Sequence, residues 1–370
     1  MCPKGRFPFE IIFMPVSAPF LLVFHPGALG DGLLALPALR VLRAKFPGHR
    51  MIWFGHKELG DVFVDAREVH QSYSFDSLNF LAYEGTKGFC QGLFSSLFNR
   101  CERAVGWMED SDGIWRSWFK AVGINNLILR SPHDPSLFQD HMADRYVETL
   151  QPWFNTQQAF NQLEKNFHDE RLLVFRQSPI MGQSSSTERL IILHPGSGSI
   201  HKCAPPALWA NMVNGLMAQP HRRVCLVGGP ADTDSLRKVQ GLLNDLNLTI
   251  FEGLDLLSVG QHLQQAHLFI GHDSGLSHLA TCLAVPSILL FGPTDPAKWA
   301  PRGKSVAVLR SACHCVGKES IEQCLDKRCF GIPMNEVMVK AEELLCGMNT
   351  SVPRASLRGV DESPHVPCLG

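Results

Sequence analysis

Three short stretches of this 370-residue chain set reactive side chains beside glycine. The first is "HPGALGDG", residues 25–32, in which Gly30 and Gly32 flank Asp31. A carboxylate there can cap a helix by accepting its first unpaired N–H groups. It can also take a proton from a hydroxyl as a general base. Capping does not call for a glycine on either side, whereas the approach of a second molecule to the backbone does. The second stretch, "HPGSGSIHKC" (194–203), joins Gly196 and Gly198 to the hydroxyls of Ser197 and Ser199 and the ammonium of Lys202. Small donors and a cation just before a helix make a cradle for a diphosphate. The same residues can equally form a polar turn ahead of the helix near Pro206. The third stretch, "GHDSGLSHLA" (271–280), places Asp273, Ser274 and Gly275 at a strand-to-helix junction, with His278 one turn further on. Backbone N–H groups at such a junction suit an anion. Alternatively, Asp273 is a cap and His278 packs inside.

A fourth stretch, "VGGPADTD", offers Asp232 or Asp234 just after a strand, where a carboxylate can bind a ribose diol or cap the next helix. Two nucleotide signatures are missing. The first loop reads G-A-L-G-D-G, and the second strand ends in "WFGH" without an acidic residue. A dinucleotide fingerprint needs G-x-G-x-x-G and that acid, so a nicotinamide or flavin enzyme has little support. No G-x-x-x-x-G-K-[ST] occurs either. Cys313, Cys315, Cys324 and Cys329 form C-H-C-x₈-C-x₄-C, only half of the paired spacing a tetrahedral metal site prefers. We expect thiols there and no metal.

Strands and helices alternate around these loops. "FLLVFHP" (20–26) reads as a buried strand, and "GLLALPALRVLRAKFP" follows with one helical periodicity. "RMIWFGH" (50–56) and the weaker "RAVGW" (103–107) are further strands, and "IWRSWFKAVG" is an amphipathic helix ending at Gly123. Serine, proline and glycine crowd residues 176–189, as in a connection between domains. Alternation then resumes, with strands at "RLIILHP", "RVCLVGG", "LTIFEG", "HLFIGHD" and "PSILLFG". Such a pattern predicts mostly parallel sheets covered on both faces, with ligands at the carboxyl ends of the strands. The expected organisation is an extension (1–19), a first Rossmann-like domain (20–178), a linker (179–188), a second such domain (189–333), a helix (334–349) and a disordered tail (350–370).

Bulk composition narrows the functions. The chain is 45% hydrophobic, enough for two cores, and its net charge of −1 gives no electrostatic case for nucleic acid. Twelve cysteines scattered over this length suit reduced thiols in a cytoplasmic protein. The apolar run "IIFMPVSAPFLLVF" is interrupted by Pro15 and Pro19 and flows into the first loop. It is therefore read as an extension and a strand, not a signal peptide. No run approaches the ~20 apolar residues a membrane span needs.

Taken together, "GALGD" with "LPALRVLRAKFP", "HPGSGS" with Lys202, "LVGGPAD", and "DSGLSHLA" with "LFGPTDPAKWAP" resemble glycosyltransferase family 9, the ADP-heptose:lipopolysaccharide heptosyltransferases. The resemblance covers roughly residues 20–347 and is loose from 60 to 180. It implies a GT-B fold, α/β with two Rossmann-like domains whose parallel sheets face a cleft. The first domain would receive the acceptor and the second a nucleotide-diphosphate sugar, with ADP-heptose the expected donor. Transfer would invert the anomeric carbon. By this resemblance Asp31 is the general base and Lys202 assists the leaving diphosphate. Gly30, Ser197, Gly198, Ser199, Asp232, Leu254, Asp273, Ser274, Gly275 and His278 would line the donor site. "HMADRYVETL" (141–150) is read as structural. No cofactor is expected. The implied acceptor is a lipid-linked glycan, reached by peripheral contact with the inner face of the membrane. A related transferase with another donor sugar, and a silent sugar-nucleotide-binding protein, are the alternatives.

Overall fold

The computed structural model describes residues 18–78, 94–156, 172–175, 188–243, 248–311, 321, 324 and 327–347. The chain divides into two compact units. One comprises residues up to Pro26 together with Ala38–Leu137, and the other comprises Gly27–Pro37 with everything from Phe138 onward.

In the first unit β1 (Phe20–Phe24), β2 (Arg50–Gly55), β3 (Gln71–Ser74), β4 (Cys101–Gly106) and β5 (Leu127–Leu129) form a parallel sheet in the order β3-β2-β1-β4-β5. β1 is central and all five of its residues are buried, as an uninterrupted apolar strand covered on both faces must be. Phe24 stacks on Phe54 with ring centroids 4.9 Å apart and meets the edge of Phe119 at 4.8 Å. After β1 come α1 (Leu29–Leu34), which belongs to the second unit, and α2 (Leu36–Lys45); α3 (Lys57–Asp65), α4 (Ser95–Asn99) and α5 (Ile114–Ala121) run between the later strands. Gly123, with φ +88°, follows α5 in the left-handed region that glycine enters freely. Arg40 and Arg43 of α2 hold the buried Glu68 at 2.7 and 3.0 Å.

One expectation here is corrected. The helix read as continuous from Gly32 is two helices, α1 and α2, parted at Ala35. Pro37 explains the break. It has no N–H to give the Leu33 carbonyl, and its ring crowds that carbonyl. The chain returns from the second unit to the first just beyond the break, between Pro37 and Ala38 in the first turn of α2.

The second unit contains β6 (Arg189–His194), β7 (Arg222–Gly228), β8 (Thr249–Glu252), β9 (Leu268–His272), β10 (Ser287–Leu290) and β11 (Val306–Leu309). They form a parallel sheet ordered β11-β10-β9-β6-β7-β8. Its helices are α6 (Met142–Glu148), α7 (Pro206–Met217), α8 (Thr233–Gln240), α9 (Leu256–Gln265), α10 (Gly275–Cys282), α11 (Pro296–Trp299) and α12 (Met334–Gly347). Trp209, Leu193, Ile270, Leu290 and Val337 are part of the core on one face of the sheet. The strand order reverses between β6 and β9. At such a switch point the connections leave in opposite directions and open a crevice at the carboxyl ends.

The units do not divide at the expected 178/189. Residues 176–187 lie outside the described residues, but the segment before them belongs with the second unit. Leu173 N–H donates to the Cys282 carbonyl at 2.8 Å, and Arg302 grips Asp144 through two bonds of 2.8 and 2.6 Å. Three short strands were not anticipated: β3, β5 and β11. β3 is the half-buried "QSYS", whose polar residues mask its period. Residues 1–17 and the expected tail, 350–370, lie outside the described residues. No described helix is long and apolar enough to cross a membrane.

The aromatic stack makes the first core the sensitive one. Phe24→Ala should cost about 3–5 kcal/mol, read as an earlier urea midpoint. A loss below ~1 kcal/mol would contradict the packing of β1 described here.

Candidate active site

The second unit's site is assembled at the ends of three neighbouring strands, β9, β6 and β7. β6 ends at His194 and β9 at His272, and the turn after β7 carries Asp232. His272 is fully buried and fastens the 194–204 loop at two points. Its Nδ1–H donates to the Gly196 carbonyl (3.1 Å), and its Nε2 accepts the Ala204 N–H (2.8 Å). Burial lowers its pKa to about 3, and the neighbouring Lys327 charge acts in the same direction. A neutral ring is what this pair of bonds requires, one nitrogen donating and the other accepting.

Further bonds fasten the loop to the start of α10. Lys202 Nζ lies 2.7 Å from Asp273 Oδ2, and the Ser197 hydroxyl donates to the Asp273 carbonyl at 3.0 Å. Ser199 caps the short turn Ile200–Lys202 by accepting the His201 N–H. From the other side Lys327, held at φ +48°, donates through Nζ to the carbonyls of Ile200 and Cys203. Phe330 then meets His272 edge-on at 5.5 Å and fills the space that a Cβ on Gly292 would need.

Asp232 faces inward. Its Oδ2 accepts the Gly229 N–H (2.9 Å) and lies 3.1 Å from His194 Nε2. Burial pushes this carboxyl up. The bonds from His194 and Gly229, with the neighbouring imidazoles, outweigh burial and hold it below the usual carboxylate range. A Cβ on Gly196 would fall 1.9 Å from Asp232 Oδ1, so Gly196 makes room for this carboxylate and not for a ligand. Gly198 differs, since a Cβ there would meet nothing within 4 Å.

Asp31 enters from α1. Its carboxylate caps as the sequence allowed, with Oδ2 accepting the Ala28 N–H at 3.3 Å. It is nevertheless half-exposed. The phenol of the buried Tyr146 is pushed well above 10, by burial first and then by the Asp31 charge. The first turn of α1 packs on the first turn of α10. A Cβ on Gly275 would lie 2.6 Å from the Leu29 side chain, and one on Gly30 would lie 3.4 Å from His278 and 3.8 Å from Gly275 N. His278 is buried beneath this contact. Desolvation lowers its pKa to about 4 against the pull of Asp273, with His141 and Lys202 lowering it further. His141 is itself spent on structure, since Nδ1 accepts the Ala143 N–H and Nε2 donates to the Ala300 carbonyl at 2.9 Å.

The structure thus brings Gly30, Asp31, Ser197, Lys202, Asp273, Ser274, Gly275 and His278 into one region. Ser199 borders it, and Leu254 is exposed on the loop after β8. Sequence reasoning gave no role to His194, His272, Tyr146 or Lys327. The two histidines had a signal, since each is the last residue of a strand at the switch point. Lys327 had none, because its partners lie more than a hundred residues away. Cys313 and Cys315 lie outside the described residues. Among the described residues no group of His, Cys, Asp or Glu is arranged to hold a metal ion.

A family model described as glycosyltransferase family 9 (heptosyltransferase) matches residues 115–328, more than half of the chain. The chain belongs to glycosyltransferase family 9. This family-9 chain is 29% identical over 161 residues to lipopolysaccharide heptosyltransferase 1 of Pseudomonas aeruginosa, covering 42% of the chain and 43% of that relative. It is 20% identical over 348 residues to lipopolysaccharide heptosyltransferase 3 of Escherichia coli K12, covering 85% and 95%. The first relatives it matches are therefore spanned over less than half of their length. Among solved structures it resembles the E. coli heptosyltransferase WaaC with ADP, with a TM-score of 0.60 at 17% identity over 88% of this chain and 99% of that one. At that identity the likeness shows the fold, which is GT-B. The family match includes Lys202, Asp232, Asp273 and His278 but begins after Asp31.

The buried histidines set a pH dependence. His272 and His278 titrate at about 3 and 4 when folded and near 6.5 when unfolded. Below pH 6.5 the unfolded chain binds more protons, so stability is full above that pH and falls as pH drops toward 4. Each histidine contributes up to about 1.4 kcal/mol per pH unit. The melting temperature should fall between pH 7.5 and 5, and His278→Gln should flatten the slope. A flat wild-type profile would refute the burial. Lys327→Met removes two charge-assisted bonds to the loop. It should cost about 1–3 kcal/mol and loosen the loop, seen as faster amide exchange at residues 199–204.

Proposed function

We propose that this family-9 chain is an inverting glycosyltransferase that moves a heptose from ADP-heptose to a lipopolysaccharide core or related glycan. The observation that carries the reading is the seating of α1 on α10. It sets a half-exposed carboxylate, Asp31, beside a helix start furnished with Ser274, Gly275 and the Lys202–Asp273 pair. ADP as the nucleotide is supported by the solved WaaC complex, which contains it.

In this reading the acceptor hydroxyl gives its proton to Asp31, and its oxygen attacks C1 of the sugar. The bond from C1 to the diphosphate oxygen breaks on the opposite face, and the diphosphate leaves with the electron pair. A positioned base contributes about 10²–10⁴-fold, since a sugar hydroxyl is a poor nucleophile at neutral pH. The charge gathering on the diphosphate meets Lys202 and the free N–H groups at the start of α10, donors fixed before the reaction begins. These groups supply the stabilisation without a cofactor. To reach Lys202 the diphosphate shares it with Asp273 or displaces that carboxylate. Gly198 marks where the loop admits the ligand, because its Cβ position is open. The enzyme works in the cytoplasm and meets a lipid-linked acceptor at the inner face of the membrane.

A thermal-shift panel of nucleotide sugars, followed by turnover of Asp31→Asn, tests this. An ADP-sugar should raise the melting temperature of both proteins by mass action, while the variant's kcat falls by about 10²–10⁴. Unchanged turnover would remove Asp31 from the mechanism. No stabilisation by any nucleotide sugar would end the donor assignment.

A further inference from the structure

Three buried polar groups form a chain across the carboxyl ends of β7, β6 and β9. Asp232 Oδ2 lies 3.1 Å from His194 Nε2, and His194 Nδ1 lies 3.2 Å from Ser274 Oγ. Each of the three residues is less than 10% exposed. Proton counting fixes the direction of these bonds. An ionised carboxylate only accepts, so Nε2 must carry the hydrogen toward Asp232. With a neutral ring Nδ1 is then an acceptor, and the bond to Ser274 can be filled only by the serine's own proton. Ser277 cannot replace it. Its N–H caps onto Ser274 Oγ, and its hydroxyl donates to the His272 carbonyl. With a neutral ring the single proton of Ser274 is therefore committed to His194 and not to the Ser277 hydroxyl 3.3 Å away, at the helix start where the diphosphate is placed above.

A diphosphate oxygen accepts hydrogen bonds and cannot donate them. Ser274 can serve it only by turning its proton away from the ring. Nδ1 and Oγ would then face each other as two acceptors, which in a buried site costs heavily. The conflict disappears if the ring gains a hydrogen. We propose that His194 is a proton-coupled positioning residue: a diphosphate that engages the Ser274 hydroxyl obliges the His194 ring to take up one proton from solvent. The bond then reverses, Nδ1–H donates to Oγ, and Oγ–H donates to the phosphate. Asp232 balances the new positive charge on one side and the diphosphate does so on the other. The other groups around the ring do not provide the proton. His272 stays neutral through its two backbone bonds, and Lys327 and the Lys202–Asp273 pair are already charged partners. Asp232, expected to hold a ribose, acts here on the diphosphate through His194.

The inference rests on the proposed donor site, and the experiment separates the two. ADP-glucose, GDP-mannose and UDP-glucose carry esterified diphosphates that do not titrate near neutrality. Each is titrated calorimetrically into the full chain in buffers of different ionisation enthalpy, from pH 6 to 8.5. Wild-type protein should take up close to one proton per diphosphate bound on the alkaline side, with affinity falling about tenfold per pH unit there. His194→Gln should bind with no uptake. Ser274→Ala should lose most of the uptake, although its helix start still offers backbone N–H groups, and it covers the case in which the His194 variant does not fold. Binding without uptake in the wild type overturns the inference and leaves the donor site standing. Uptake that persists in Ser274→Ala overturns it too, because simple attraction between ring and anion would then suffice. Absence of binding by all three probes removes the donor site and the inference with it.

Discussion

The site depends on a missing methyl group. Gly275 lets the Leu29 side chain come to 2.6 Å from where its Cβ would be, and this sets the first turn of α1 against the first turn of α10. Two helix starts meeting in this way are unfavourable in isolation, since both present unpaired N–H groups and the positive end of a dipole. The side chains supply the compensation. Asp31 takes an N–H of its own turn, and Ser274 takes one from the other. What remains is a concentration of donors beside a carboxylate, the electrostatic arrangement that the proposed transfer from a dianionic donor calls for.

Polar groups of the second unit fall into two sets with different tasks. His272, Asp232, Ser197 and Lys327 spend their hydrogen bonds on the protein and make a flexible, glycine-containing loop adopt one shape. Lys202, Asp31 and the backbone N–H groups of α10 remain near enough to solvent to meet a ligand. The division follows from the cost of leaving buried polar atoms unmatched. A residue placed inward, such as Asp232, is committed before any ligand arrives, whereas one at the rim keeps a choice of partner. Polar groups fixed before a ligand arrives need not be ordered when it binds.

Much of this was legible in the sequence, for a physical reason. Strands buried on both faces must be continuously apolar, so "FLLVF", "RLIILH" and "HLFIGH" announce themselves, and the loops that follow them are marked by glycine and serine. Asp31, Lys202 and Asp273 were visible as chemistry. Three things were not visible. The half-buried "QSYS" carries no period. Pro37 was in plain view, but the apolar repeat running past it suggested one helix where there are two. Contacts over long separations, Lys327 to Cys203 above all, leave no local trace, because nothing in the neighbourhood of either residue depends on the other. The contact between His194 and Asp232 is of the same kind: each has an ordinary local setting, and only the strand order makes them adjacent.

The path of the backbone through the two units sets how the molecule could be dissected. The polypeptide passes from one to the other after Pro26, after Pro37 and again after Leu137. A fragment beginning at residue 138 would keep its entire sheet and lose only an eleven-residue excursion, the one that carries Asp31. The proposed nucleotide site and the proposed base are therefore interleaved along the chain and not consecutive in it. An evolutionary exchange of residues 1–137 would replace Asp31 together with the whole of the first unit.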